Sequence, residues 1–505
     1  MASSLTKDSV STTGSEKTFF GHPRGLATLF MTEMWERFSY YGMRALLVYY
    51  LVSGGADAAT GAQGGGLAMR ATTATAIYSV YVSMVYLMAM PGGWFGDRVW
   101  GARKTVTVAG FVIMSGHLAL ALPGQAPFFA GLVLVAVGSG LLKANISTMV
   151  GHLYNGPDDP RRDGGFTVFY MGINLGAFAA PLVIGTVGKE HNWHLGFALA
   201  ALGMALGLVQ FLIGTKHLSP KSSLVPNPLS AEERKGVLTK VAAVVAAVAV
   251  FYGVVVAMGA YTLNWALVPL TLAGLIIPIA VLVRIKRDKD LSTTEQSKMN
   301  GYIWLFVAAA VFWMIYDQGG STLSLFADAK TTDNVGGIHF SATWYQSLNP
   351  LFVMALAPVF AWLWLWLARK NQEPNTIVKF AMGLVIIGAS FFVFIVPMNM
   401  AGDGKVSPMW LVSIYMIQTI GELCLSPVGL SVTTKMAPQK YASQMMGVWF
   451  LAVTAGDCFT GLLSLAGVSL DGLGIIAMEA SMAAVAGLAI YMYRKNVKSL
   501  MGGVH

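Results

Sequence analysis

Charge is scarce in this chain. Only 11% of its 505 residues are Asp, Glu, Lys or Arg, against roughly 25% in an average soluble domain, and that shortage excludes a water-soluble globular protein. Cysteine is scarcer still. Cys424 and Cys458 both lie in apolar segments, which offers neither a disulfide framework nor a CxxC metal site. The eight His are scattered mostly in loops. Paired intramembrane histidines for haem, or a Cys, His and carboxylate constellation for a membrane enzyme, are therefore missing. No cofactor or metal is expected. Nor is there a repeated filter or ring-forming short subunit of the kind a channel needs. The first 20 residues are polar and lack an apolar core, so no cleavable secretory signal is expected and the first span serves as the insertion signal.

What is present is hydrophobic length. Hydrophobic residues make up 55% of the chain and mean hydropathy is +0.62, which defines an all-α, multi-pass membrane protein. Apolar windows of about 20 residues predict spans near 24–52, 70–96, 102–122, 126–151, 164–188 and 194–214, then 241–260 and 264–285, then 299–318, 340–368, 376–396, 406–434, 441–468 and 473–493. That makes 14 transmembrane helices. The implied organisation is a tail 1–23, a six-helix half 24–215, a linker 216–240, an inserted helix pair 241–286, a linker 287–298, a second six-helix half 299–494 and a tail 495–505. From Val241 to Ala260 no charge occurs, so that helix is expected to face lipid all round. Two six-helix halves with a midplane site between them are a common transporter plan, with alternating access by rocking of one half against the other.

The net charge of +9 does not mark a nucleic-acid binder, because the basic residues follow loops. Arg70, Lys189, Lys330 and Lys405 fall on one side and Arg37, Arg44 and Lys143 within spans; the rest of the 33 Lys and Arg fall on the other side. By the positive-inside rule this predicts that both termini are cytoplasmic.

The first span carries the sharpest signal. Glu33, Glu36, Arg37, Tyr40, Tyr41 and Arg44 stand at offsets of 3, 4, 7, 8 and 11 from Glu33, which places them on one helical face. A charge at the bilayer centre costs about 2.5–3.5 kcal/mol even on mild insertion scales. Such a stripe is tolerable when it lines an interior cavity and finds partners there, as in ion and substrate pathways. Lys143 sits well inside its own span. An intramembrane Lys can also snorkel to an interface, but this depth favours the cavity.

Four motifs carry a family resemblance. G-D-R-V-W-G-A-R-K (Gly96 to Lys104) resembles the short loop signature of the major facilitator superfamily. E-M-W-E-R-F-S-Y-Y-G (Glu33 to Gly42) is similar to the ExxERFxYYG signature of the proton-dependent oligopeptide transporters; F-Y-M-G-I-N-L-G (Phe169 to Gly176) and G-E-L-C-L-S-P-V-G (Gly421 to Gly429) agree with it. The resemblance covers nearly the whole chain, including the inserted pair that bacterial members carry. The short loop at about Met398 to Lys405 fits the prokaryotic form, which implies a bacterial inner membrane. It implies the major facilitator fold, two six-helix bundles plus two inserted helices, and import of di- and tripeptides with protons, by a carrier that works as a monomer.

A di- or tripeptide is a zwitterion, and a promiscuous carrier grips its ends. Arg37 and Arg44 suit the carboxylate, with Lys143 as a third cation that by resemblance pairs with Glu36. By the same resemblance Glu422 receives the peptide ammonium, with Ser426 one turn on; a structural salt bridge is its bland alternative. Tyr40, Tyr41 and Tyr86 would supply hydroxyls and ring faces. Asn174 and Asn349 would contact the peptide backbone. Trp313 and Trp449 are pocket walls by resemblance and interface-belt residues by composition. Glu33, Glu36, Arg37, Lys143 and Asp317 are the proton-coupling candidates, since a carboxylate can switch protonation as a neighbouring cation leaves; a static network holding helices together is the competing reading. Asp317 is also the expected gate partner of Arg44, and Tyr316 stands where many bacterial relatives have another acid. Asp457, Glu479 and His117 match no motif: the expectations are a kink near Gly456, a place toward the periplasmic end of the last span, and a satisfied packing histidine. The rival function is a carrier of another anion such as nitrate, against which Glu422 argues.

Overall fold

The computed structural model describes residues 18–58, 64–155, 159–402 and 404–502. Most of the first tail, including Lys7 and Lys17, and the last three residues lie outside the described residues. Long helices dominate: α1 (Gly25–Val52), α2 (Ala71–Trp100), α3 (Ala102–Leu120), α4 (Gln125–Gly151), α5 (Arg162–Glu190), α6 (Trp193–His217), α7 (Ala231–Ala257), α8 (Asn264–Lys286), α9 (Thr293–Lys330), α10 (Ala342–Arg369), α11 (Thr376–Ala401), α12 (Met409–Met436), α13 (Ala442–Leu465) and α14 (Leu473–Met492). Twelve helices are long and apolar enough to cross a membrane on composition alone. α1 is not among them because its charged stripe leaves at least three charges in any 18-residue window; α3 completes the bundle beside α4 and α6. A two-stranded hairpin, Asn334–Val335 with Ile338–His339, joins α9 to α10.

α1 packs on α5 and α6, α3 on α4 and α6, and α2 on α4, closing the first half; α11 packs on α12 and α14, and α9 on α13, in the second. Small residues permit the α2–α4 approach. A Cβ on Gly92 would stand 2.2 Å from the Gly140 carbonyl, and the Asn145 amide donates to the Gly92 carbonyl at 2.8 Å. The halves meet along α2–α13 and α5–α10. One buried cluster spans both halves, from Met43 to Val52 of α1 through Tyr78 to Leu323, Tyr345 and Trp449. The other, around Leu26, Ile146, Phe169 and Phe211, belongs to the first half alone and lies toward the linker face.

Two helices depart most from their expected bounds. The helix expected from 241 begins at Ala231, because Ser230 and Glu233 form a capping box that starts it ten residues earlier, inside the expected linker. The linker itself docks on the α2–α3 junction: Asn227 and Leu229 donate backbone N–H groups to the Asp97 and Arg98 carbonyls at 3.0 and 3.2 Å, and Arg98 pairs with Glu233 at 2.9 Å. Likewise α9 starts at Thr293, capped by Ser292 and Glu295, and continues past a break at Asp317–Ser321 to Lys330. Two turns beyond the expected end of the span are thus helical. α7 is exposed along nearly its whole length, as the uncharged stretch from Val241 onward predicts.

Candidate functional site

The first-span stripe is buried within the protein. Arg37 Nε approaches Glu33 at 2.9 Å and Glu36 at 2.6 Å, and Ser139 of α4 donates to Glu36 at 3.0 Å. Exposure of Glu33, Glu36 and Arg37 is 3%, 0% and 3%, so each charge must be balanced inside the protein. The network is incomplete: Glu33 Oε2 and one terminal Arg37 nitrogen lack hydrogen-bond partners. The expected Glu36–Lys143 pair is not formed. Glu36 is already occupied by Arg37 and Ser139, and Lys143 Nζ lies 3.6 Å from the Tyr86 ring centre and 5.6 Å from that of Phe450 across the halves.

One turn above, Arg37 lies 5.5 Å over the Tyr40 ring and Arg44 lies 5.6 Å over Tyr41. Arg44 pairs with Asp317 at 2.9 Å and donates through Nε to the Tyr78 hydroxyl. The expected α1–α9 pair is therefore formed. Asp317 sits at the break in α9, where the chain leaves the α-helix for a 3-10 turn.

Glu422 occupies the facing half. Its Oε2 accepts from the Tyr316 hydroxyl at 2.8 Å and the Asn349 amide at 2.9 Å, and Asn349 also donates to Thr419 at 3.1 Å. No ion pair engages Glu422 among the described residues, which removes the structural salt-bridge alternative. Asn349 departs from expectation by spending its amide on Glu422. Asn174 donates to the Tyr170 carbonyl of its own helix at 3.0 Å, and Tyr170 is exposed beside it. Trp313 stacks edge-on against Tyr316 at 4.9 Å, with a buried indole N–H that has no partner, and the Ser426 hydroxyl is also buried and unpartnered. Trp449 is neither pocket wall nor interface belt. It is 2% exposed, packed on Gly429 and 6.2 Å from Phe380 within the second half.

Sequence reading missed several members. Tyr316 registered only as a departure, Tyr78 not at all, and Lys189 only as a loop charge; Lys189 in fact pairs with Asp328 at 2.6 Å and lies 5.3 Å over Tyr49. Further cross-half bonds run from Tyr49 to the Ser324 carbonyl, Ser347 to the Phe178 carbonyl and Trp344 to Thr186. These seal the face away from the linker. Glu479 lies inside the bundle, accepting from Gln318 at 2.9 Å, because Gln318 follows the α9 break inward. His117 is not satisfied: neither ring nitrogen has a partner. Asp457 is buried on α13, the helix that packs on α2 and α9.

A polytopic bundle whose two halves present cations and an acid to one another across a sealed gate defines a membrane transporter of the major facilitator fold. The family model described as the POT family matches residues 103–467, and the chain belongs to that family. It is 46% identical to "Uncharacterized transporter YclF" of Bacillus subtilis over 90% of each chain. It is 40% identical to "Di-/tripeptide transporter" of Lactococcus lactis subsp. cremoris over 97% of this chain and 99% of that one. A crystal structure of "peptide transporter POT" in complex with sulfate superposes with a TM-score of 0.91 at 44% identity, covering 97% of this chain and 98% of that one.

Proposed function

We propose that this protein is a proton-coupled symporter that imports di- and tripeptides by alternating access. The arrangement that carries the reading is the separation of charge: Arg37, Arg44 and Lys143 on one half and the cation-free Glu422 on the other. A zwitterion of fixed backbone length bridges such ends whatever its side chains. Tyr316 and Asn349 both occupy Oε2 of Glu422, which orients the carboxylate toward an incoming ammonium. Glu33 and Glu36, sharing Arg37, supply carboxylates whose proton uptake would free a cation for substrate. The positive-inside bias supports cytoplasmic termini in a bacterial inner membrane, and with that orientation the sealed face is the outer one, so this state is closed outward. One chain holds both halves of the site, which supports a monomeric carrier.

The test is uptake of labelled dialanine into proteoliposomes under an inward proton gradient, with nitrate and free alanine as competitors. Uncoupler-sensitive accumulation that unlabelled tripeptide and Glu422→Gln both suppress is the expected result. No dipeptide uptake by folded protein, or competition by nitrate alone, overturns the reading and moves the substrate to another small anion or metabolite such as nitrate.

A further inference from the structure

We propose that Glu479 is a positioning residue of the Arg44–Asp317 pair: through Gln318 it fixes the break in α9 on which Asp317 stands. The inference rests on the transport reading above, in which that pair forms and parts as the halves rock. Asp317 offers Arg44 one oxygen at 2.9 Å, while its Oδ2 has no partner. The carboxylate therefore depends on its backbone for its aim. That backbone has left the α-helix for a 3-10 turn at Asp317–Gly320.

A break in a buried helix frees backbone groups that need partners. The Gly319 carbonyl accepts from the Tyr415 hydroxyl of α12 and from Ser324, both at 2.8 Å. Gln318, 1% exposed, staples the two sides of the break together. Its side-chain N–H donates to the Met314 carbonyl before the break at 3.2 Å, and its side-chain oxygen accepts from Thr322 after it at 2.8 Å. Among the described residues its one side-chain partner outside α9 is Glu479 of α14, at 2.9 Å. Consecutive residues of a 3-10 turn project about 120° apart, so Asp317 reaches α1 in the first half while Gln318 reaches α14 in the second. Glu479 thus anchors within its own half the turn that presents Asp317 to the other.

Glu479 does this as a hydrogen-bond acceptor and not as a charge. It is 0% exposed, no ion pair engages it among the described residues, and its Oε1 has no partner. An ionised carboxylate answered by a single amide is far costlier there than the neutral acid. Glu479→Gln keeps an acceptor at the same reach. Glu479→Leu fills the space without one.

The test pairs dipeptide uptake in proteoliposomes under a proton gradient with the distance between spin labels at Ala56, past the end of α1, and Val335, past the end of α9. Loss of one neutral hydrogen bond shifts a two-state balance about fivefold. Glu479→Leu is expected to raise the population of longer label distances by that factor, and to lower the maximal rate with KM for dipeptide unchanged, because Arg37, Lys143 and Glu422 are untouched. Gln318→Met removes the same bond from its other end and should reproduce this result, which covers a Glu479→Leu protein that does not fold. Glu479→Gln should match wild type in rate, KM and distance. In an Asp317→Ala background Glu479→Leu should add nothing to the label shift, whereas a packing defect would add to it. An additive shift, or wild-type behaviour of both Glu479→Leu and Gln318→Met, overturns the proposal. Loss of proton-driven uptake in Glu479→Gln also overturns it, since the carboxyl proton and not the acceptor would then be the active part. A wild-type protein that takes up no dipeptide overturns the transport reading instead, while the label distances still decide whether Glu479 positions the pair.

Discussion

Arg37 touches two carboxylates, and that arrangement makes the first-span charges tolerable at almost zero exposure. A buried pair stripped of one partner typically costs about 3–5 kcal/mol, so Arg37→Ala should unfold or inactivate the protein without discriminating roles. Glu36→Gln is more informative, since it keeps shape and the Ser139 contact. Proton-driven accumulation should fall to the equilibrated level in that variant while peptide exchange between the two sides persists; uphill uptake by Glu36→Gln would refute a coupling role. Trp449 makes the opposite case. Its identity invited a pocket role, but its ring fills the space above Gly429, so Trp449→Ala should cost about 3–5 kcal/mol as a core cavity. The expected outcome is a lower Tm with an unchanged KM for dipeptide; a raised KM at unchanged Tm would return this residue to the pocket. The stripe on α1 was legible because helical spacing alone places it on one face, whereas the partners of Tyr316, Trp449 and Lys143 depend on which helix lies opposite.

At the scale of elements, the ends of α5 and α9 carry a second latch on the face away from the linker. Lys189 and Asp328 are 12% and 14% exposed, so solvent screens the pair and the contribution lies between the surface value of about 0–1 kcal/mol and that of a buried pair. A 1.4 kcal/mol shift changes a two-state population tenfold. Asp328→Asn should therefore widen the distance between spin labels at 190 and 330, with the swap Lys189→Asp, Asp328→Lys restoring the closed distribution; an unchanged distribution in Asp328→Asn would leave the gate to Arg44 and Asp317. Sequence could not join these two residues. They are 139 positions apart in the chain, and Asp328 lies beyond the apolar window, on the helical segment after the α9 break. Helix starts were legible in principle, since the Ser-x-x-Glu boxes at Ser230 and Ser292 are written in the chain, yet hydropathy windows overlook polar first turns.

At the scale of the whole molecule, the inserted pair packs through α8 on α13, and the linker that follows it is held to the second half by a charged cluster. Lys440 contacts Asp288 and Asp290, both at 2.7 Å, and Tyr441 donates to Asp288. The Lys440 ammonium, then the Tyr441 hydroxyl, hold the Asp288 carboxyl well below the usual carboxylate range, while hydrogen bonds to Asp288 and Asp290 push Lys440 above its ordinary value. The depressed acid stabilises above its unfolded value of about 3.9 and loses this contribution as pH falls through the lower folded value; the raised Lys contributes below about 10.4 and loses it above. The cluster should thus be intact from about pH 5 to 9. Hydrogen exchange at the start of α13, corrected for intrinsic rates, should be flat across that window and rise in Lys440→Met; pH-dependent protection near neutrality would contradict it. By itself the sequence determined that the chain spans a membrane many times, which loops gather positive charge, which face of the first helix is polar and which motifs recur, because hydropathy, loop charge and helical period are local properties. Only the tertiary structure decided that Glu36 answers to Arg37 and Ser139 and not to Lys143, that Tyr316 serves Glu422, and that Lys189 meets Asp328. Each of those depends on which helices the packing brings together, and competition among buried charges for the nearest partner is settled in three dimensions.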